Sequence, residues 1–208
     1  MRQHWRASNL LNPVPTALIT CTDENGKSNV MTAAWVGTIC SDPVMVSVSI
    51  RKKRYSHDII ARTKELVINL TSEDLVLYAD YVGIYSGVKV DKFSLDGQYK
   101  VTPVESEKVK AITIDECPIA LECKVVEIKE LGSHDMFICE VLSVSVKDEV
   151  LDENGRLDME RAKLVAYCHG EYYGLGKKLG KFGYSSFKKE RNKRTEQIRR
   201  NRKENRNK

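Results

Sequence analysis

The sequence predicts a mainly β protein, built on a closed or partly closed antiparallel barrel with a few flanking helices. Three observations lead there. Many short segments alternate apolar and polar residues, the period of a strand with one buried face. Turn chemistry separates them, as at Asn25-Gly26 and Asp42-Pro43. Only two segments carry helix-start chemistry, and no GxGxxG or βαβ rhythm appears, which disfavours a dinucleotide-binding doubly wound fold.

The elements follow in order. Residues 14–22 (VPTALITCT) read as a strand, and 23–27 (DENGK) as a turn. Residues 29–39 resume an extended, small-residue pattern, so the two runs make a hairpin. Residues 44–50 (VMVSVSI) alternate as a half-buried strand should. Residues 56–63 (SHDIIART) read as a helix with Ser56 as N-cap. A short buried strand is expected over 66–70 (LVINL). A second helix is expected over 71–82, where Thr71 precedes acidic residues. Residues 120–130 and 136–148 alternate well, and 131–135 (LGSHD) make a hairpin-sized connection between them.

A chain of 208 residues with 41% hydrophobic content suits one domain with an appendage. The boundary is expected near residue 187, with a charged tail over 188–208. The net charge of +5 hides a split. Residues 177–208 hold 14 Lys and Arg against 3 Asp and Glu, leaving 20 against 26 elsewhere, balances of +11 and −6. The tail has one large aliphatic residue, Ile198, and so no apolar face to dock. It is expected as a solvated helix or disorder. No apolar run approaches the ~20 residues that span a bilayer, and no signal peptide is evident. A cytoplasmic protein without membrane attachment is expected. The six cysteines form no CxxC pair, which argues against structural zinc. They read as buried thiols acting as small hydrophobes, with a redox pair assembled by folding left open.

Three segments carry candidate chemistry. Residues 29–35 (NVMTAAW) place small residues and a Thr on a strand, so a flat ring could approach the backbone; a tightly packed strand has the same composition. Residues 47–56 (SVSIRKKRYS) run a strand into four cations and then a helix start, a combination that suits a phosphate monoester or a solvated loop. Residues 83–93 (GIYSGVKVDKF) combine glycines, a hydroxyl and lysines, where a lysine would supply a mobile cation and glycine a close approach.

Order and spacing add what each segment lacks alone. The stretches NPVPTALITC, NVMTAAW, SVSIRKKRYSHDII, ELVINL, GIYSGVKVDKF, GSHDMFICEV and HGEYYGLGKKLGKFGYS resemble the flavin reductase-like, FMN-binding split-barrel family, which includes flavoredoxins and short-chain flavin reductases. The resemblance covers residues 9 to about 187. It implies an antiparallel FMN-binding split β-barrel that pairs into a homodimer. Met31, Thr32, Ala33, Ala34 and Trp35 match the strand along the isoalloxazine ring, and Asn29 a polar position at that strand's start. Ser49, Ile50 and Arg51 match ring and phosphate contacts of the next strand, and Tyr55 and Ser56 the turn at the phosphate end. Ser86, Gly87 and Lys92 match the SG…DKF loop that completes those contacts. His134 matches a histidine near the dimer seam and the flavin, and Tyr172 and Tyr173 match aromatics able to cover the ring.

The resemblance implies FMN rather than FAD, given the RKKRYS phosphate end. No side chain is expected as nucleophile or general acid, because the flavin carries the redox chemistry. Donors to the ring are expected from backbone N–H groups and Thr32. The implied function is a flavin reductase-like oxidoreductase that moves electrons between NAD(P)H and flavin or an acceptor. The alternative is a flavoredoxin-type carrier that exchanges electrons with a redox protein. A nucleic-acid role through the tail is a distant third, since the tail lacks interleaved aromatics.

Overall fold

A computed structural model describes residues 1–186. The tail expected over 188–208 lies outside the described residues. The chain divides into a unit of Met1–Leu175 and a second unit of Gly176–Lys208. Among the described residues the first unit carries all the strands. They run β1 (Val14–Pro15), β2 (Ala17–Thr22), β3 (Ser28–Ala33), β4 (Val36–Ser41) and β5 (Val44–Arg51). Helix α1 (Tyr55–Thr63), β6 (Glu65–Leu70) and α2 (Val76–Ile84) follow, then the short β7 (Pro103–Val104) and β8 (Thr113–Ile114). The long β9 (Ile119–Glu130) and β10 (His134–Val146), helix α3 (Met159–Ala162), β11 (Val165–Cys168) and β12 (Glu171–Gly174) complete the unit.

Seven strands form one antiparallel sheet in the order β3-β2-β6-β9-β10-β5-β4. Strands β3 and β4, neighbours in sequence, are therefore its two opposite edges. Only Ala34 and Trp35 join them. Three Cα steps reach at most about 11 Å, whereas seven strands laid flat would part their edges by about 29 Å. The sheet must curl until its edges approach each other near Trp35. Bulges between Thr38 and Cys40, and at two points where β10 pairs with β9, bend the strands. No hydrogen-bond ladder joins β3 to β4, so the sheet curls without closing.

One apolar cluster fills the curl, with Ile19, Met31, Val48, Ile68, Val125 and Phe137 meeting from six strands. Strands β2 and β3 are buried on both faces, because α2 covers their outer side. There Leu18 and Val30 pack with Tyr78, Ala79 and Val82. His57 ties α1 to β10, its Nε2 lying 2.9 Å from Asp135 Oδ2, with both residues buried. Cys21, Cys117, Cys123 and Cys139 are buried free thiols, and burial pushes Cys21 up to about 11 and Cys139 up to about 12. No helix among the described residues is long and apolar enough to cross a membrane.

Most elements lie where periodicity puts them, and the exceptions have local causes. The extended run over 29–39 is two strands broken at Ala34, where the chain passes from one edge of the sheet to the other. Helix α1 is capped by the backbone of Arg54 and not by Ser56, whose hydroxyl accepts a hydrogen bond from Asn29 Nδ2 at 2.7 Å. Thr71 does not start a helix. Its N–H donates to Thr16 O and its carbonyl accepts from Val165 N, so α2 begins only at Val76 after a single 3-10 turn. His134 is the first residue of β10, opposite Arg51 on β5, and leaves three residues in the hairpin connection.

Phe137 is wholly buried in the curl. Phe137→Ala should lower stability by about 3–5 kcal/mol in urea unfolding. A midpoint within experimental error of the parent would mean that the curl is not held by this core.

Candidate functional site

Two cavities, of about 440 and about 350 Å³, open beside the β3–β4 link. Met31, Arg51, Arg54, Gly83 and Ile84 line both, so they are the two halves of one cleft.

The first half lies at the start of α1. Arg54 caps that helix without a side-chain hydrogen bond; its carbonyl accepts from His57 N at 2.9 Å, and the Tyr55 and Ser56 amides are left for a ligand or water. The helix dipole adds positive potential there. Asn29, Tyr55 and Ser56 form the wall. The 85–92 loop closes over it at Gly87, where a Cβ would stand 2.2 Å from Asn29 Oδ1 and 2.8 Å from Tyr55 Cδ1. Only glycine fits. Ser86 is exposed at the rim, its hydroxyl accepting from Val88 N at 3.3 Å.

The cations in this half divide into two kinds. Arg51 and Lys53 are exposed. Arg54 Nη1 instead donates to Gly83 O at 2.6 Å. Lys92 Nζ donates to Val30 O at 2.6 Å and Val82 O at 2.8 Å and is buried. Lys92 is thus not the mobile cation expected from the sequence. Burial, and then the nearby Arg54 charge, bring its ammonium down to about 8, against a slight opposing pull from Cys21. Tyr78 on α2 also reaches this residue, donating its hydroxyl to Lys92 O at 3.2 Å.

The second half runs along Thr32, Ala33, Ala34 and Trp35, with Ser49 and Arg51 from β5. Helix α2 lies close on β3: a Cβ on Gly83 would come within 3.2 Å of Thr32 Cβ. The Thr32 hydroxyl donates to the Ala79 carbonyl, so its proton is committed to the fold and is not free for a ring. The Trp35 and His134 rings stack with centroids 4.5 Å apart. Burial and the Arg51 charge lower the His134 imidazole, favouring its neutral form, and its Nδ1 shares a hydrogen bond with Ser133 Oγ at 2.9 Å. On the outer wall Tyr172 donates to Asp80 Oδ1 at 3.1 Å, and burial with the Asp80 charge pushes its phenol up to about 12.

The structure brings together all the expected residues except two. Ile50 turns into the core because β5 alternates, sending Ser49 and Arg51 to the cleft and Ile50 inward. Tyr173 alternates with Tyr172 on β12, stands half exposed, and bonds Glu171. Sequence reasoning missed Asn9, Thr16, Asp80 and Tyr167 as wall residues. Asp80 gave no signal, since it sits in an ordinary helical pattern.

A family model described as "Flavin reductase like domain" matches residues 10–176. The flavoredoxin of Desulfovibrio vulgaris (Miyazaki F) is 35% identical, with 87% of this chain and 97% of the other covered and a TM-score of 0.80. A flavoredoxin from Methanosarcina acetivorans is 26% identical, covering 86% and 95%, with a TM-score of 0.76. An uncharacterised protein of Pyrococcus abyssi is 33% identical over 82% of this chain and 95% of its own length.

Lys92 loses its proton near 8 in the fold and near 10.5 when exposed. Between these values the unfolded chain binds more protons, so stability rises with pH. Across pH 8 to 10.5 the parent should gain up to about 3 kcal/mol relative to Lys92→Met. Other titrating groups, including Cys21 and Tyr78, are common to both proteins and cancel. Denaturant midpoints that stay parallel across this window would contradict the buried ammonium.

Proposed function

The chain belongs to the family of flavin reductase-like domains, and from that premise we propose that it is an FMN-binding oxidoreductase with the flavin in the cleft. The observation that carries this reading is the division of the cleft. One end joins a helix N-terminus without a side-chain cap to exposed cations, and the other joins a small-residue strand to stacked Trp35 and His134. The donor set fits a phosphate monoester on a flat ring system, and the cavities lie in the size range of small-molecule sites. Arg51, Lys53, Ser56 and the first-turn amides of α1 would hold the phosphate. Backbone groups of 31–35 and Ser49 would take the ring. FMN fits this single phosphate end better than FAD does.

When bound, FMN supplies reversible redox chemistry. The protein orients the group and shields it. Arg51, at the junction of the two halves, places a positive charge where negative charge is to be held. His134, favoured as a neutral ring, stacks on Trp35 and adds no charge of its own. Tyr172, fixed by Asp80, narrows the outer wall against water. No side chain of the cleft is needed as a nucleophile.

In this reading NAD(P)H is the direct donor. A second reading, a carrier that exchanges electrons with a redox protein, is supported by the similarity to flavoredoxin. We also propose a cytoplasmic homodimer. Ile39, Val44, Leu142 and Val144 are exposed on neighbouring strands β4, β5 and β10, an apolar face a second copy would cover.

The purified protein should show flavin absorption or take up added FMN. Anaerobic bleaching by NADH or NADPH supports the reductase. Bleaching by dithionite alone supports the carrier. Colourless protein that takes up no FMN would overturn both. Arg51→Ala should weaken FMN by about tenfold or more, the loss of a charge-assisted hydrogen bond, as read by fluorescence titration.

A further inference from the structure

Among the described residues that line the cleft, Asp80 is the one carboxylate, and it borders the second half alone. It lies three residues before Gly83 on α2 and so shares that residue's side of the helix, which is laid against β3 at Thr32. Tyr172 fixes it there, donating its hydroxyl to Asp80 Oδ1 at 3.1 Å. The Tyr172 ring in turn meets that of Tyr167 on β11 edge-on, with centroids 5.5 Å apart. Among the described residues no lysine or arginine pairs with Asp80.

Neither the fold nor phosphate binding accounts for this charge. Aspartate is a weak helix former in mid-helix. An asparagine would accept the same bond from Tyr172. An anion in a cleft that is to hold an anion costs affinity. The charge gains a use where the charge of the ligand itself changes, and reduction of a flavin ring does this. Two electrons and one proton turn the neutral ring into a reduced ring with one negative charge. A carboxylate fixed in a half-buried wall opposes that gain, because burial limits screening. We propose that Asp80, held by Tyr172, weakens the site for reduced flavin relative to oxidised flavin and so makes the bound group a stronger electron donor. The proposal rests on FMN occupying the cleft, and it applies to the reductase and the carrier alike. Arg51 and Arg54 border the same half, and Asp80 offsets part of their pull on the reduced ring.

The quantity that tests this is the ratio of affinities for reduced and oxidised FMN. It follows from the midpoint potential of bound against free FMN, read in an anaerobic dithionite titration with a reference dye. Asp80→Asn keeps an acceptor for Tyr172 and removes the charge. Its ratio should rise about tenfold, a potential higher by about 30 mV for a two-electron couple. Its affinity for oxidised FMN, read by fluorescence quenching, should stay within about threefold of the parent's. Tyr172→Phe removes the wall bond and keeps the charge, so its ratio should stay within about threefold of the parent's. A rise of less than about threefold in Asp80→Asn, or an equal rise in Tyr172→Phe, would overturn the proposal while leaving flavin binding intact. A parent protein that takes up no FMN would instead remove the reading on which the proposal rests.

Discussion

The two-residue link between β3 and β4 governs this structure. It joins strands at opposite ends of a seven-stranded sheet, and covalent reach alone forces that sheet to curl. The curl creates an interior that Phe137, Val48 and Ile68 fill. It also leaves a seam where the edges approach without sharing a ladder. The cleft opens beside that seam, and Ala34 and Trp35 lie in its wall. The feature that makes the barrel is thus the feature that makes the site. Small residues at 33 and 34 let backbone come to the surface of the cleft, where a bulkier pair would fill it.

Charge is distributed with the same economy. The four cations lining the first half of the cleft are not four equivalent anion ligands. Two complete the carbonyls at the end of α2 and so build the wall, and two remain exposed at the mouth. Buried cations that satisfy backbone oxygens are held by several hydrogen bonds and by the helix dipole, which offset part of their desolvation. Thr32 follows the same logic, since its hydroxyl serves α2 and leaves the strand's main chain to face the cleft. The packing of α2 on β3 at Gly83 explains why these polar groups are spent on the fold: the two elements lie too close for water to intervene.

Much of the fold was legible because strand periodicity is local. Alternation in β5, β9 and β10 located those strands to within a residue or two, and the Asn25-Gly26 turn set the β2–β3 hairpin. The two displaced helix signals share one cause. Ser56 and Thr71 carry good capping side chains, yet each residue is held by partners distant in sequence, Ser56 by its hydroxyl to Asn29 and Thr71 by its main chain to Thr16 and Val165. Local propensity loses when tertiary hydrogen bonds fix the same residue. Ile50 and Tyr173 lie outside the cleft lining for a simpler reason: a motif names neighbours along a strand, but period two sends alternate residues to opposite faces.

The sequence by itself determined the class of fold, the strands and the stretch of cations before α1, because each rests on near neighbours and on residue chemistry. It also determined the family, through the order of its motifs. Only the tertiary structure decided which of those groups face the cleft. That Lys92 is buried against two carbonyls, that Asp80 fixes Tyr172, and that Trp35 stacks on His134 are contacts between segments far apart in the chain. Their partners are set by how the sheet curls and where α2 lands on it, and no local pattern records that.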